Sequence, residues 1–232
     1  MLEHVELITL DLDDTLWPCF PTIQAAEQTL FEWLAEQAPQ LTAAHDVASL
    51  REHRLAIARA HPELAHDLTE VRLRSLQRLA DEFELPRDLP REANALFRRE
   101  RNRVRPFDEV FEVLRGLREQ YVLVALSNGN AQVEHTPLAG CFHHSFMAEQ
   151  VGAAKPHPAL FEAASRASGI ELQRALHVGD DPLRDIEAAR VLGMSTAWVN
   201  RDTQDWPAEL PPPTLTIDNL EQLCSELNKL KQ

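Results

Sequence analysis

The chain has 232 residues, of which 44% are hydrophobic and 26% are charged, and its formal net charge is −14. This composition is typical of a globular protein with room for one sizeable core and a smaller inserted or appended domain. So acidic a chain is excluded as a general binder of nucleic acid or of an anionic membrane, and any site for an anion must be local.

Cysteine use and the amino terminus favour a cytoplasmic protein. The three cysteines, Cys19, Cys141 and Cys224, are odd in number and far apart, so they form neither a disulfide framework nor a metal-binding pattern. Residues 1–4 lead into a strand pattern without a signal peptide, and no apolar run is long enough to span a membrane. We therefore expect a cytoplasmic location and no membrane partner.

The first structural signal is the apolar segment 5–10, which is followed by Asp11, Asp13, Asp14 and Thr15. It predicts a strand buried on both faces, as central parallel strands are. Side chains alternate across a strand, so Asp11 and Asp13 point to the same face. Two such carboxylates suit either a nucleophile paired with a proton donor, or a hard cation such as Mg²⁺. A polar turn in which Asp14 or Thr15 caps the next segment explains the same residues.

An all-helical block follows this strand. Segment 16–21 contains two prolines and predicts a linker, after which Thr22 can cap a first helix, with Pro21 just before it. Apolar residues at helical spacing predict further helices at about 43–59, 68–83 and 91–104, with no strand before Pro106. Five arginines crowd the end of the block: Arg98, Arg99, Arg101, Arg103 and Arg105. They indicate either a local attractor for a phosphorylated substrate or a solvated helix face.

From residue 107 onward, strands alternate with helices. Short apolar runs predict strands at 121–126, 145–150, 175–178, 196–199 and 215–217. Helices are predicted from Phe107, from 127–130, over 158–168 up to Gly169, over 183–192 up to Gly193, and at Leu220, Leu223, Leu227 and Leu230. This alternation predicts a doubly wound α/β fold with a parallel sheet, formed by residues 1–16 and 106–232, and an inserted helical domain at 17–105.

Polar clusters follow three predicted strands, and a fourth loop carries Lys155. They are Asp11, Asp13 and Thr15; Ser127, Asn128 and Gly129; and Asp180, Asp181 and Asp185. Because loops after parallel strands emerge at one edge of the sheet, we expect all four to converge. Taken alone, Ser127-Asn128-Gly129 is explained by a turn, Lys155-Pro156 by a surface loop, and Asp180 with Asp181 by a helix start.

The clusters are chemically complementary. Asp11, Asp13 and Asp180 supply hard oxygen ligands for Mg²⁺. Ser127 and the Asn128 backbone N–H supply phosphate donors, and Lys155 supplies a fixed positive charge. Asp185 could orient Lys155 or a water bound to the metal.

In this order, the motifs resemble those of the haloacid dehalogenase superfamily, most members of which are phosphatases of small metabolites. The first motif is Asp11-Leu12-Asp13-Asp14-Thr15, the second Ser127, the third Lys155, and the fourth Gly179-Asp180-Asp181 with Asp185. The helical block is similar to the cap domain that this family carries directly after its first motif, so the resemblance covers nearly the whole chain.

The resemblance implies a role for each residue. Asp11 would be the nucleophile that forms an aspartyl-phosphate, and Asp13 would protonate the leaving alkoxide and then activate water. Mg²⁺ would be held by the carboxylates of Asp11 and Asp180 and by the backbone carbonyl of Asp13. The phosphoryl oxygens would be held by Ser127, Asn128 and Lys155. Supporting contacts would come from Thr15, Asp181 and Asp185.

Other reactions occur within the same superfamily. Dehalogenation does not use the second acid, because a halide leaves without a proton, so the presence of Asp13 favours hydrolysis of a phosphate monoester. A phosphomutase keeps both acids, so these motifs do not distinguish a phosphomutase from a phosphatase. A non-catalytic module on this fold would be expected to replace Asp11 or Asp13, and both are present.

A finer resemblance suggests the substrate. Segments 66–75, 127–132 and 176–181 are similar to those of bacterial FMN phosphatases, which act on FMN and on a phosphorylated riboflavin precursor. Phosphoglycolate, a sugar phosphate and a nucleoside monophosphate are the alternatives. Candidate specificity residues are Trp17, His66, Arg72 and Arg74. Trp17 could stack on a flavin or pack against the cap, and the other three could equally cap a turn or lie on a solvated helix.

Overall fold

A computed structural model describes residues 2–229. Its six strands are β1 (Leu7–Leu10), β2 (Val122–Ser127), β3 (His144–Met147), β4 (Ala175–Gly179), β5 (Ser195–Val199) and β6 (Leu215–Ile217). They form one parallel sheet in the order β3-β2-β1-β4-β5-β6. The predicted α/β fold with a parallel, doubly wound sheet is confirmed.

Ten α-helices accompany the sheet within residues 2–229. Five lie between β1 and β2: α1 (Cys19–Gln37), α2 (Pro39–Ala44), α3 (Val47–Ala60), α4 (Leu68–Glu82) and α5 (Leu89–Arg101). The others are α6 (Val110–Arg118), α7 (Ala148–Val151), α8 (Ala159–Ser168), α9 (Ala188–Val191) and α10 (Leu220–Lys229). Each of these helices is too short or too polar to cross a bilayer.

Strand β1 lies at the centre of the sheet and is buried on both faces. Its side chains alternate, so Ile8 belongs to the apolar cluster beneath α6 and α10, and Leu7 to the cluster beneath α8 and α9. This explains why β1 reads as a continuous apolar run. The chain can expose polar groups only where β1 ends, which is at Asp11.

Helices α1–α5 share an apolar cluster of their own. Leu34, Leu79 and Phe97 are among its buried members, and α5 packs against both α1 and α4. As the sequence predicts, no strand occurs within described residues 21–105. The helical block is therefore held together by a core that is separate from the two clusters on the sheet.

Several element bounds differ from the predicted ones. Helix α1 begins at Cys19, ahead of Pro21, because a proline in the first turn removes an N–H that has no helical partner anyway. The stretch predicted as one helix at 43–59 breaks before α3, where Asp46 accepts a hydrogen bond from the Ser49 N–H at 2.7 Å. Leu230 of the last predicted helix lies outside the described residues.

Two other predicted helix starts are wrong. No helix begins at 127–130, because the Gly129 N–H donates to Ser127 Oγ at 2.9 Å and closes a side-chain turn instead. The segment after Asp181 begins with a π-helical stretch, Pro182–Glu187, before continuing as α9. Both departures occur at the sheet edge where the polar clusters lie.

The packing of the helical block leads to a prediction about the stability of the protein. We expect Leu79→Ala to lower the free energy of unfolding by about 2–5 kcal/mol, because Leu79 is 1% exposed and the substitution leaves a cavity. Urea denaturation followed by circular dichroism measures this. The matched control, Leu55→Ala, removes a leucine from α3 that is 38% exposed, and should change stability much less. Equal losses for the two variants would contradict the core assigned to α1–α5.

Candidate active site

The four polar clusters converge at the carboxyl edge of the sheet. They line one cavity of about 280 Å³, together with residues from the helical block. The predicted site residues in its wall are Asp11, Asp13, Ser127, Asn128, Lys155, Asp180, Asp181 and Asp185. The sequence-based expectation that separate loops meet at this edge therefore agrees with the structure.

Lys155 lies at the centre of the site and is almost fully buried. Its Nζ donates to Asp11 Oδ1 and Asp185 Oδ1, each at 2.6 Å, and to the carbonyl oxygen of Leu126 at 2.9 Å. Burial alone would lower the pKa of Lys155, but Asp11 and Asp185 hold it above its ordinary value. Lys155 is therefore a permanent ammonium group beside Asp11.

Asp11, Asp180 and Asp185 form a carboxylate cluster whose oxygens lie within 4.8 Å of one another. Burial raises the pKa of Asp11 well above its ordinary value, and Asp185 and Asp180 raise it further against the effect of Lys155. Burial, with Asp185 next, raises the pKa of Asp180 to about 7. Carboxylates crowded in this way, all offering hard oxygens, fit a divalent cation such as Mg²⁺.

The two predicted supporting residues Thr15 and Asp181 make different contacts in the site. Thr15 Oγ1 donates to Asp180 Oδ1 at 2.9 Å and so orients one member of the cluster. Asp181 Oδ1 accepts from the N–H groups of Leu183 and Arg184 at 2.9 and 2.8 Å, which caps the π-helical segment. The carboxylate of Asp181 is therefore engaged as a helix cap.

The side chain of Asp13 is not part of the carboxylate cluster among the described residues. The chain folds back after it, because Asp14 takes a left-handed conformation (φ 60°) and its N–H donates to the Trp17 carbonyl at 2.8 Å. Trp17 Nε1 then donates to Asp13 Oδ1 at 2.8 Å. Arg101 Nη2 contacts both carboxylate oxygens of Asp13, with a distance of 2.6 Å to Oδ2.

Asn128 joins two of the loops. Its side-chain amide donates to the Lys155 carbonyl at 2.8 Å, and its Oδ1 accepts from the Lys155 N–H at 2.7 Å. Ser127 Oγ accepts from the Gly129 N–H, so the Ser127 hydroxyl is held at the cavity wall. The Asn128 side chain therefore positions Lys155, which leaves only its backbone N–H for the predicted phosphate contact.

A buried histidine outside the predicted motifs supports the site from behind. His177 is fully buried on β4, and its Nε2 lies 3.1 Å from Asp185 Oδ1 while its Nδ1 lies 2.8 Å from Thr9 Oγ1. Burial lowers the pKa of His177, so the ring is neutral, and it must donate from Nε2 because Asp185 is ionised. Burial would raise the pKa of Asp185, but Lys155 and His177 hold it far below its ordinary value.

Gly179 makes room for this arrangement. A Cβ at Gly179 would lie 2.5 Å from Asp185 Cγ, a separation that real atoms do not reach. The glycine after β4 is therefore required by the Asp185 side chain that packs on it. In the sequence, Gly179 could be recognised from the Gly-Asp-Asp motif. His177 lies in an apolar strand, and no motif marks it.

The tentative specificity residues do not line the cavity. Trp17 is fully buried in the sheet core and does not line the cavity, so in this arrangement it takes neither of its two predicted places, against a ligand or against the helical core. Arg72 lies 3.7 Å from Glu27 and stacks on the Phe97 ring, both inside the helical block. Arg74 bonds to the neighbouring Glu70 at 2.8 Å, and His66 is half-buried outside the cavity wall.

Other residues of the helical block form part of the cavity wall. Cys19, Ile23, Leu68 and Arg101 line the cavity. Burial, with Asp13 next, raises the pKa of the Cys19 thiol to about 12. Of the five clustered arginines, Arg101 points inward, Arg98 pairs with Glu149 at 2.9 Å, and Arg99, Arg103 and Arg105 are exposed. Three of the five arginines therefore lie on a solvated surface as one interpretation predicts, and the attraction of a phosphorylated substrate stays a prediction.

Comparison with known proteins points to one family. Residues 5–193 match the model of the haloacid dehalogenase-like hydrolases. The chain is 30% identical to the 5-amino-6-(5-phospho-D-ribitylamino)uracil phosphatase YigB of Escherichia coli, over 97% of each chain. It is 32% identical to a phosphoserine phosphatase of Thermus thermophilus, over 59% of this chain and 57% of the relative.

Solved structures agree with this assignment. The crystal structure of a 2-haloacid dehalogenase from Pseudomonas syringae pv. tomato superposes with a TM-score of 0.90 and 36% identity, over 97% of this chain and 99% of the other. The proteins similar to this chain thus include some named as phosphatases and some named as dehalogenases. The chain belongs to the haloacid dehalogenase-like hydrolases, and it is an enzyme of that family.

Proposed function

We propose that this enzyme is a cytoplasmic, Mg²⁺-dependent phosphatase of a small phosphate monoester. The observation that carries the proposal is the pair of carboxylates in one cavity: Asp11 in the cluster with Lys155, and Asp13 turned away from that cluster. The two groups have different surroundings, which suits one nucleophile and one proton-transferring group. The match to YigB over nearly the full chain also supports a phosphatase.

The residues divide the reaction between them. A carboxylate oxygen of Asp11 attacks phosphorus, the bond to the leaving oxygen breaks, and that oxygen takes a proton from Asp13. Asp13 then takes a proton from water, which attacks the aspartyl-phosphate and releases phosphate and free Asp11. Lys155 and the Ser127 loop stabilise the phosphoryl oxygens. Mg²⁺, held by Asp11, Asp180 and the backbone carbonyl of Asp13, would offset the crowded negative charge.

We assign residues 17–105 the role of a cap over a core made of residues 1–16 and 106–232. Leu68 and Ile23 bring apolar side chains from the helical block to an otherwise polar cavity, and Leu68 is 38% exposed. Such a surface suits the organic part of a substrate while the sheet edge binds its phosphate. With the relative YigB, this favours FMN or a ribitylaminouracil phosphate as substrate.

Dehalogenation is the second candidate, because the similar structure from Pseudomonas syringae is named a 2-haloacid dehalogenase. That reaction releases a halide, which needs no proton, so it gives no role to Asp13. The carboxylate cluster suited to Mg²⁺ likewise serves a phosphate ester better than a halide. Chloride release from 2-chloropropionate distinguishes the two reactions.

The first test is phosphate release from FMN and from p-nitrophenyl phosphate. We expect release to require Mg²⁺, to cease with excess chelator, and to fall about 10³-fold or more in Asp11→Asn, because the nucleophile is lost. The control Asp108→Asn changes an exposed carboxylate ahead of α6 and should retain full activity. Chloride release from 2-chloropropionate without phosphate release would instead establish the dehalogenase.

A second prediction concerns the apolar cavity wall. We expect Leu68→Ala and Ile23→Ala to raise KM for FMN by about tenfold with little change in kcat, because they remove binding contacts shared by ground state and transition state. KM for the smaller p-nitrophenyl phosphate should change less. Arg74→Ala, which lies away from the cavity, is the matched control within α4. A larger KM effect in Arg74→Ala than in Leu68→Ala would contradict this assignment.

A further inference from the structure

The carboxylate of Asp13 is held by both chain connections between the sheet and the helical block. Trp17 lies on the outgoing connection, and its Nε1 donates to Asp13 Oδ1 at 2.8 Å. Arg101 is the last residue of α5, just before the chain returns, and its Nη2 contacts both oxygens of Asp13. Asp13 is thus the point where the two connections meet.

The third side of Asp13 is bounded by Gly129. A Cβ there would lie 2.5 Å from Asp13 Oδ2 and 3.5 Å from Arg101 Nη2. The carboxylate can occupy its place only because residue 129 has no side chain. Its position is therefore determined on three sides, by an indole N–H, a guanidinium and a bare backbone.

Burial of Arg101 is costly and calls for a specific reason. The residue is 1% exposed, and its Nη1 is buried without a hydrogen-bond partner among residues 2–229. Neighbouring Arg99 and Arg103 are exposed, so the segment does not otherwise bury its arginines. A buried ion pair adds little stability over apolar packing, but it does fix the geometry of the two groups that form it.

We propose that Arg101 is a positioning residue that, together with Trp17, orients Asp13 toward the leaving-group oxygen of the substrate. This rests on the proposed phosphatase reaction, in which Asp13 delivers the proton. Because Arg101 is the last residue of α5, Asp13 keeps the guanidinium contact only when the end of that helix lies against the sheet. Proton delivery is in this way tied to the position of the cap.

The test compares leaving groups that do and do not need a proton. An alkyl alkoxide must be protonated as it leaves, whereas p-nitrophenolate leaves as a stable anion. The quantity measured is kcat/KM, which reports the steps up to departure of the leaving group, for p-nitrophenyl phosphate and for the best alkyl phosphate among FMN, glycerol 3-phosphate and glucose 6-phosphate. The ratio of the two values does not depend on the fraction of folded enzyme.

We expect Arg101→Met to lower the alkyl-to-aryl ratio by about 10²-fold, since well-placed proton transfer contributes at least that much. Trp17→Phe, which keeps a ring and removes the N–H, should lower it less, and Arg101→Lys should restore part of the loss. Arg103→Met removes an exposed arginine of the same cluster and should leave the ratio unchanged.

An unchanged or raised ratio in Arg101→Met overturns the proposal, even if both kcat/KM values fall together. Asp13→Asn separates this result from failure of the phosphatase mechanism. If Asp13→Asn lowers the ratio strongly and Arg101→Met does not, the mechanism stands and the positioning role is wrong. If Asp13→Asn leaves the ratio unchanged, Asp13 is not the proton donor and both proposals fall.

Discussion

The buried ion pairs of Lys155 are the interaction on which the rest of the site depends. Three carboxylates, from Asp11, Asp180 and Asp185, crowd the end of the central strands, and Lys155 bonds to two of them. Without that ammonium group the carboxylates would repel one another in a largely dry setting. Even with it, three carboxylates face one ammonium group, and burial first, with repulsion between the carboxylates after it, raises the pKa values of Asp11 and Asp180. That excess of carboxylates is what a divalent cation would offset.

Topology explains why so much of this could be predicted from the sequence. The six predicted strands overlap the six strands of the sheet, and parallel strands present their following loops at one edge. The clusters at Asp11, Ser127 and Asp180 lie at or directly after the ends of their strands, and Lys155 follows β3 after the short helix α7. Their convergence could therefore be predicted without knowing how distant parts of the chain pack. The fold class and the meeting of Asp11, Ser127, Lys155 and Asp180 follow from that rule.

The sequence does not predict the positions of residues that depend on packing between distant parts of the chain. Arg101 is one of five arginines in eight residues, and nothing local distinguishes the buried one from its exposed neighbours. For Trp17 the sequence allows stacking on a ligand or packing against the cap, whereas the tight turn at Asp14 directs its indole into the sheet core. His177 looks like any strand residue until Asp185 and Thr9 are placed on either side of it.

The two acids are supported by different parts of the molecule. Asp11 is held from within the sheet, through Lys155 and the Asp185–His177 pair behind it. Asp13 is held by the connections to the helical block, through Trp17 and Arg101. In the proposed reaction, the nucleophile Asp11 would thus be independent of where the helices lie, whereas the proton donor Asp13 would depend on Arg101 at the end of α5. If residues 17–105 act as the proposed cap, the proposed nucleophile would be in place whether or not the cap covers the site, and the proposed acid would be in place only when the cap is closed. This arrangement would restrict the transfer of phosphate to water in the open state, because the group that activates water for the second step would then lack its support.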